Sequence, residues 1–90
     1  MKKQNNKKSQ QLLFLEGLLQ SIKKGNSQQN KPFKIGVTEK YEGIKAELEI
    51  YPNCKGFLVW RIITSAGCGI WQCWETEEEI EKTFKLFSLV

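Results

Sequence analysis

The feature that most constrains the fold of this chain is an alternation of apolar and polar residues that runs through residues 33–51. Successive side chains of a β-strand point to opposite faces of a sheet, so this alternation predicts strands with one buried face. We predict a first strand over residues 33–38 and a second over residues 44–51, joined by a turn near residues 41–43. The residues predicted to face the core are Phe33, Ile35, Val37, Ile44, Ala46, Leu48 and Ile50.

Two further strands are predicted, and both are apolar on both faces. The third covers residues 57–64 and follows a turn at residues 52–56, which contains Pro, Asn and Gly. The fourth covers residues 70–74 and follows a tight turn bracketed by glycines at residues 67–69. Because the odd-numbered and the even-numbered residues of these strands both include large apolar side chains, periodicity alone does not show which set faces the core.

This ambiguity has a consequence for the side of the sheet that faces away from any helix. One apolar row of the third strand stays uncovered. It is either Phe57, Val59, Arg61 and Ile63 or Leu58, Trp60 and Ile62. In the fourth strand, either Trp71 or Trp74 faces outward, so at least one tryptophan is expected near the surface. An apolar patch ringed by polar groups on a small protein is typical of an interface.

Helical patterns flank the four strands. The first helix is predicted to follow Ser9, a favourable N-cap, and to stop at Gly25. The second is predicted to begin with a capping box formed by Thr76 and Glu79. The apolar stripes are Leu12, Leu15, Leu19 and Ile22 in the first helix and Ile80, Phe84 and Phe87 in the second.

Together these patterns predict an α+β fold with the element order α-β-β-β-β-α. The sheet is expected to be a four-stranded antiparallel meander, with the N-terminal and the C-terminal helix on one face. A chain of 90 residues does not hold two domains of ordinary size. We therefore predict a disordered basic arm over residues 1–9 and a single α+β domain over residues 10–90.

Residue usage argues against an enzyme or a metal protein. The chain has no His, which removes the commonest general base and a frequent metal ligand. Its three cysteines, at positions 54, 68 and 73, lack the spacing of a zinc site and are expected to be reduced and buried. The glycines lack the spacing of a phosphate-binding loop. We expect a protein that is not an enzyme and takes no metal or cofactor.

The net charge of +4 comes from the start of the chain. Residues 1–8 contain four lysines and no acid, and the rest of the chain contains ten basic and ten acidic residues. A basic arm of this kind attracts nucleic acid, an acidic protein surface or anionic lipid about equally. The candidate phosphate or acidic-partner contacts are Lys2, Lys3, Lys7 and Lys8.

The location expected from the sequence is the cytoplasm. No apolar run approaches the roughly 18 residues that span a membrane, and the polar residues near the start do not resemble a signal peptide. No membrane partner is therefore expected.

The function expected from these features is that of a small non-enzymatic binding module, an adaptor or inhibitor, that engages a protein partner through the uncovered sheet face. The candidate residues on this face are Trp60, Arg61, Trp71, Trp74, Tyr51 and Lys45. The alternative is nucleic-acid binding, in which the arm contacts phosphates and sheet tryptophans stack on bases. Glu47 and Glu49 on the exposed face weigh against the alternative, and a homodimer through the open sheet is a further outcome.

Overall fold

Residues 8–25, 31–53 and 55–90 are described by a computed structural model of the protein. Its helices are α1 (Gln10–Lys23) and α2 (Glu77–Leu86), and its strands are β1 (Phe33–Gly36), β2 (Ala46–Pro52), β3 (Leu58–Thr64), β4 (Gly67–Cys68) and β5 (Gln72–Trp74). All strand pairs are antiparallel. β1, β2 and β3 lie side by side, and both β4 and β5 pair with β3. The predicted α+β class is confirmed; the predicted fourth strand corresponds to β5, and the short strand β4 forms where a turn is predicted.

The alternation that predicted the first two strands sets their register. Ile35 lies opposite Leu48, and Phe33 lies opposite Ile50. β2 begins later than predicted because the segment before it bends into a short 3-10 turn (Thr38–Lys40). The Thr38 hydroxyl accepts from the Ala46 N–H at 3.3 Å, which closes the connection to β2. Ile44 therefore precedes the strand and is exposed.

The hydrophobic core lies between this sheet and the two helices. Alternate residues of the strands supply one side, and the apolar stripes of the helices supply the other, which agrees with both helices packing on one face. The buried core residues are Leu12, Leu15, Leu19, Ile35, Val37, Ala46, Leu48, Ile50, Leu58, Trp74, Ile80 and Phe84. We call the opposite side of the sheet the open face.

Helix α1 begins and ends as its sequence predicts. The backbone N–H of Leu12 donates to Oγ of Ser9 at 3.1 Å, so Ser9 is the N-cap. After the last turn, Gly25 has a φ of 76°, a left-handed conformation that glycine adopts without steric cost. Near this end, Gln20 donates to the side chain of Glu77, at the start of α2. The end of one helix thus meets the start of the other.

Helix α2 has a complete motif at each end. The predicted capping box is confirmed: the Glu79 N–H donates to Oγ1 of Thr76, and the Glu79 carboxylate accepts from the Thr76 N–H. At the other end, the Leu89 N–H donates to the Phe84 carbonyl at 2.8 Å, and the Ser88 N–H donates to the Lys85 carbonyl at 3.1 Å. These two bonds form a Schellman motif, with Ser88 in the left-handed position at φ 58°.

Within the described ranges, no helix is long and apolar enough to cross a membrane. Most of the predicted basic arm, residues 1–7, lies outside the described residues. Lys8 and Ser9 are described, and both contact α1.

Candidate functional site

The strand register places a row of charged residues across the open face. Lys34 of β1 lies opposite Glu49 of β2, and Glu49 lies opposite Arg61 of β3. Since residues opposite each other in a sheet project to the same side, these three residues alternate in charge across three strands. The side of β3 that carries Arg61 is thus the side that the helices leave uncovered.

A one-residue bulge interrupts the strand that pairs with β3. Ile63 lies opposite Cys68, whereas Trp60 lies opposite Gln72. Between these pairs, β3 has two residues, 61–62, and the outer strand has three, 69–71. The Gly69 N–H still donates to the Ile62 carbonyl at 2.7 Å, so the extra residue is accommodated after that bond.

The bulge decides which tryptophan faces the helices. A side chain changes face with every residue, so one extra residue reverses the facing of everything that follows it. With the bulge, Trp74 lies opposite Leu58 and is 2% exposed in the core. Trp71 instead lies over the open face and is 43% exposed. The choice between Trp71 and Trp74 that periodicity left open is settled in favour of Trp71 at the surface.

Three side chains meet around the single arginine of the chain on the open face, and we call the four residues the Arg61 cluster: Glu49, Tyr51, Arg61 and Trp71. The guanidinium carbon of Arg61 lies 4.3 Å from the centroid of the Trp71 ring. Tyr51 packs edge-on against the same indole, with ring centroids 5.4 Å apart. The Tyr51 hydroxyl lies 3.4 Å from Oε2 of Glu49, at the long end of hydrogen bonding. Trp71 is therefore held by two neighbours, although it lies outside the paired strands.

The electrostatics of the Arg61 cluster centre on a buried carboxylate. Glu49 is 5% exposed, and its Oε1 accepts a hydrogen bond from Nε of Arg61 at 2.8 Å. This bond stabilises the charged guanidinium and raises the pKa of Arg61 further above its already high value. Burial of an unpaired carboxylate is costly, so the pair fixes the position of Arg61. Among the described residues, Nη1 and Nη2 of Arg61 make no hydrogen bond.

Apolar side chains adjoin the Arg61 cluster. Ile70, at the bulge, is 78% exposed, which is the largest exposed fraction of any large apolar residue described. Val59 and Ile63 lie two residues before and after Arg61 on the same side of β3, and both are half-buried. This part of the open face therefore combines an apolar surface with one oriented cation.

The structure divides the candidate sheet residues between the two faces. Tyr51, Arg61 and Trp71 come together in the Arg61 cluster. Trp60 and Trp74 lie on the helix side instead, where their rings stack 5.5 Å apart. Their assignment to the open face is therefore corrected, and its reason is the bulge together with the register of β3. Lys45 is exposed but precedes β2, outside the paired residues.

Of the four candidate lysines, the structure describes Lys8 alone; Lys2, Lys3 and Lys7 lie outside the described residues. The Lys8 ammonium lies 3.2 Å from both carboxylate oxygens of Glu16, which is buried in α1. Hydrogen bonding to Glu16 raises the pKa of Lys8. A phosphate or an acidic partner at Lys8 would compete with Glu16.

Glu49 is the member of the site that sequence reasoning misplaced, since it was expected to be an exposed residue. The signal was available in the hairpin between β2 and β3. A turn centred on residues 53–57 places Glu49 opposite Arg61, and opposite charges at such a position form a cross-strand pair. Glu49 also lies 3.4 Å from the Tyr51 hydroxyl, a contact that the alternation alone did not predict.

The expectation of buried cysteines is wrong for the two that are described. Cys68 and Cys73 are both exposed free thiols, while Cys54 lies outside the described residues. Cys68 lies opposite Ile63 and Cys73 opposite Val59, so both belong to the open-face register of the outer strands. Partial burial of its sulfur, with Glu75 and Glu79 nearby, raises the pKa of Cys73.

A separate cleft of about 350 Å³ lies between the 3-10 turn and the end of α2. Val37, Phe87 and Leu89 give it an apolar lining, and the charged residues Glu39 and Lys40 are exposed beside them. In the described ranges, His, Cys, Asp and Glu side chains form no group of three or more that could hold a metal ion.

Comparison of the chain with models of known protein families, with curated proteins and with solved structures found no match.

Proposed function

We propose that this protein is a small non-enzymatic binding module, an adaptor or inhibitor, that engages a protein partner through the open face. The observation that carries the proposal is a half-exposed tryptophan, Trp71, held on an uncovered sheet face by Arg61 and Tyr51. Tryptophan, tyrosine and arginine are the side chains that most often dominate binding energy at protein interfaces.

The fixed position of Trp71 also favours binding. An immobilised side chain loses less conformational entropy when a partner covers it than a freely rotating one does. The exposed Ile70 beside it adds apolar area that a partner can bury. The exposed Lys34 and the partly exposed Arg61 of the row favour a partner that presents acidic groups in a matching register.

The test is quantitative affinity capture with three forms of the full chain: wild type, Trp71→Ala and Phe14→Ala. Phe14 lies on α1 and is 47% exposed, close to the exposure of Trp71, so its variant is a matched control. A protein retained by both wild type and Phe14→Ala is then purified, and its affinity for each of the three forms is measured by calorimetry. We expect Trp71→Ala to weaken that affinity by at least about 30-fold. Equal affinity for wild type and Trp71→Ala overturns the proposal.

Nucleic-acid binding is the second candidate, because one face of the Trp71 ring covers Arg61 and the residue is still 43% exposed, so a base could stack on it. Titration of the full chain and of residues 9–90 with single- and double-stranded oligonucleotides, read by tryptophan fluorescence, separates the two candidates. Quenching that weakens at least about tenfold between low and high salt, and with loss of the arm, favours nucleic acid. Light scattering on the same samples reports whether the partner is a second copy of the chain.

A further inference from the structure

We infer that Arg61 is the docking point for a carboxylate side chain, an Asp or Glu that lies next to an apolar residue in the contacting segment of a protein partner. The inference rests on the proposed function, because it names the chemistry that the open face recognises. It concerns Nη1 and Nη2 of the guanidinium, which make no hydrogen bond among the described residues.

The guanidinium is held in one orientation by two different contacts. Glu49 accepts from Nε at 2.8 Å, and the Trp71 ring lies 4.3 Å from the guanidinium carbon. Nη1 and Nη2 make no hydrogen bond within the described residues, and 28% of the Arg61 side chain is exposed. A guanidinium presents parallel N–H groups that match the two oxygens of a carboxylate, and little entropy is lost when its plane is already fixed.

The charges of the row favour one additional anion. Glu49 is buried between Lys34 on one side and Arg61 on the other, so the row has two cations and one carboxylate. Glu47 lies in the next row, opposite Ile63, and repels an anion from that side of Arg61. The favoured position for the incoming carboxylate is therefore on the Trp71 side.

The same charges disfavour a polyanion. A nucleic-acid strand would bring several phosphates past Glu47, while the row offers only Lys34 and Arg61 to receive them. A single carboxylate needs only one guanidinium group. The exposed Ile70 and Trp71 provide apolar contact area beside it, so an acidic residue next to an apolar one fits the surface better than an acidic run.

The probes for the test are a pair of small molecules that differ in a single group, N-acetylglutamate amide and N-acetylglutamine amide. Because Arg61 is the only arginine in the chain, its Nε–H resonance is unique in the NMR spectrum of the full-length protein. We expect the glutamate probe to shift the Arg61 Nε–H and the Trp71 indole resonances to saturation. The glutamine probe is expected to shift neither.

Three variants assign the shift to the proposed site. Arg61→Lys keeps the charge and removes the planar fork, so it is expected to weaken the glutamate probe at least about fivefold. Glu47→Gln removes the repelling charge and is expected to increase the affinity for the glutamate probe. Lys82→Gln, on α2 and remote in the fold from the open face, is expected to leave it unchanged.

A response to the glutamine probe equal to the glutamate response overturns the inference, and so does equal affinity of wild type and Arg61→Lys. Stronger saturation by inorganic phosphate than by the glutamate probe also overturns it and assigns the site to phosphate. These failures are distinguishable from failure of the proposed function, which is read from the effect of Trp71→Ala on partner affinity. If the glutamate probe does not bind but Trp71→Ala abolishes binding of the protein partner, the carboxylate inference is overturned and the proposed binding face is retained.

Discussion

The Trp71 ring covers the guanidinium of Arg61, with 4.3 Å between the ring centroid and the guanidinium carbon. Arg61 lies in β3, and Trp71 lies in the segment between β4 and β5, outside the paired residues of both strands. The contact therefore fixes the segment through side chains where ladder hydrogen bonds are interrupted. A cation over an aromatic face is worth about 0.5–1 kcal/mol at an exposed site.

The two tryptophans on opposite faces are expected to differ in their contribution to stability. Trp74→Ala removes a ring that is 2% exposed, packs on Trp60 and donates to Oγ1 of Thr83 at 2.9 Å. We expect it to lower the free energy of unfolding by about 3–5 kcal/mol. Trp71→Ala is expected to lower it by about 1 kcal/mol. Chemical denaturation of both variants checks this, and equal losses would contradict the assignment of faces.

The bulge gives a prediction with an internal control. Deletion of Ile70 leaves equal numbers of residues in β3 and the outer strand, with Trp71 opposite Arg61 and Trp74 still inward. We expect it to lower the free energy of unfolding by no more than about 1 kcal/mol. Deletion of Gln72 also removes one residue, but it turns Trp71 toward the helices or Trp74 away from them.

The two deletion variants are compared by denaturant unfolding and by acrylamide quenching of tryptophan fluorescence. The Gln72 deletion is expected to be the less stable one by a wide margin, because it places a large ring where the core has no room. If the two deletions destabilise the protein equally, the bulge does not set the facing of the tryptophans.

Much of the fold could be predicted from local pattern, and the facing of the outer strands could not. β1 and β2 alternate cleanly, and the caps Ser9 and Thr76 lie where the sequence indicates. The strand predicted over residues 70–74 is shorter, β5, and the additional strand β4 pairs with β3 where a turn is predicted. A bulge is a property of two paired strands, so no periodicity along one strand reveals it.

The Schellman motif at the end of α2 predicts a stabilising substitution. Ser88 has a φ of 58°, which costs a residue with a Cβ about 1 kcal/mol and costs glycine almost nothing. Ser88→Gly is therefore expected to raise the free energy of unfolding by up to about 1 kcal/mol, after the greater flexibility of glycine in the unfolded chain is offset. Ser88→Ala retains the Cβ and serves as the control, with no gain expected. A gain for Ala equal to that for Gly would point to the hydroxyl and not to the backbone.

The Cys73 thiol predicts a dependence on pH. Burial of the sulfur, followed by the charges of Glu75 and Glu79, raises its pKa in the folded state. A raised thiol pKa means that the folded protein binds the proton more tightly than the unfolded chain. The resulting stability is present below the pKa of the unfolded thiol and is lost as pH rises through the folded pKa.

This is measured by the rate of iodoacetamide alkylation of Cys73 against pH, by mass spectrometry, in a Cys68→Ser background. The midpoint is expected at higher pH for the folded protein than for the protein in urea. Glu75→Gln is expected to move the folded midpoint down, since it removes one of the charges that oppose the thiolate. A folded midpoint at or below the urea value would contradict the prediction.

The site itself was predictable only in part. Tyr51 and Arg61 were recognised as residues of the uncovered face, and the parity of β3 that exposes Arg61 was one of two options. The bulge orients Trp71 toward Arg61 and Tyr51, and these two residues also contact the buried Glu49. The information missing from the sequence pattern was therefore the position of the one-residue bulge, which shifts the register of the outer strand.

The short outer strands also bear on how copies of this protein behave at high concentration. β1 has four residues, and the opposite edge is divided between β4 with two residues and β5 with three. A neighbouring chain at either border meets only a few consecutive backbone donors and acceptors, too few to template the continuous ladder of an amyloid fibre.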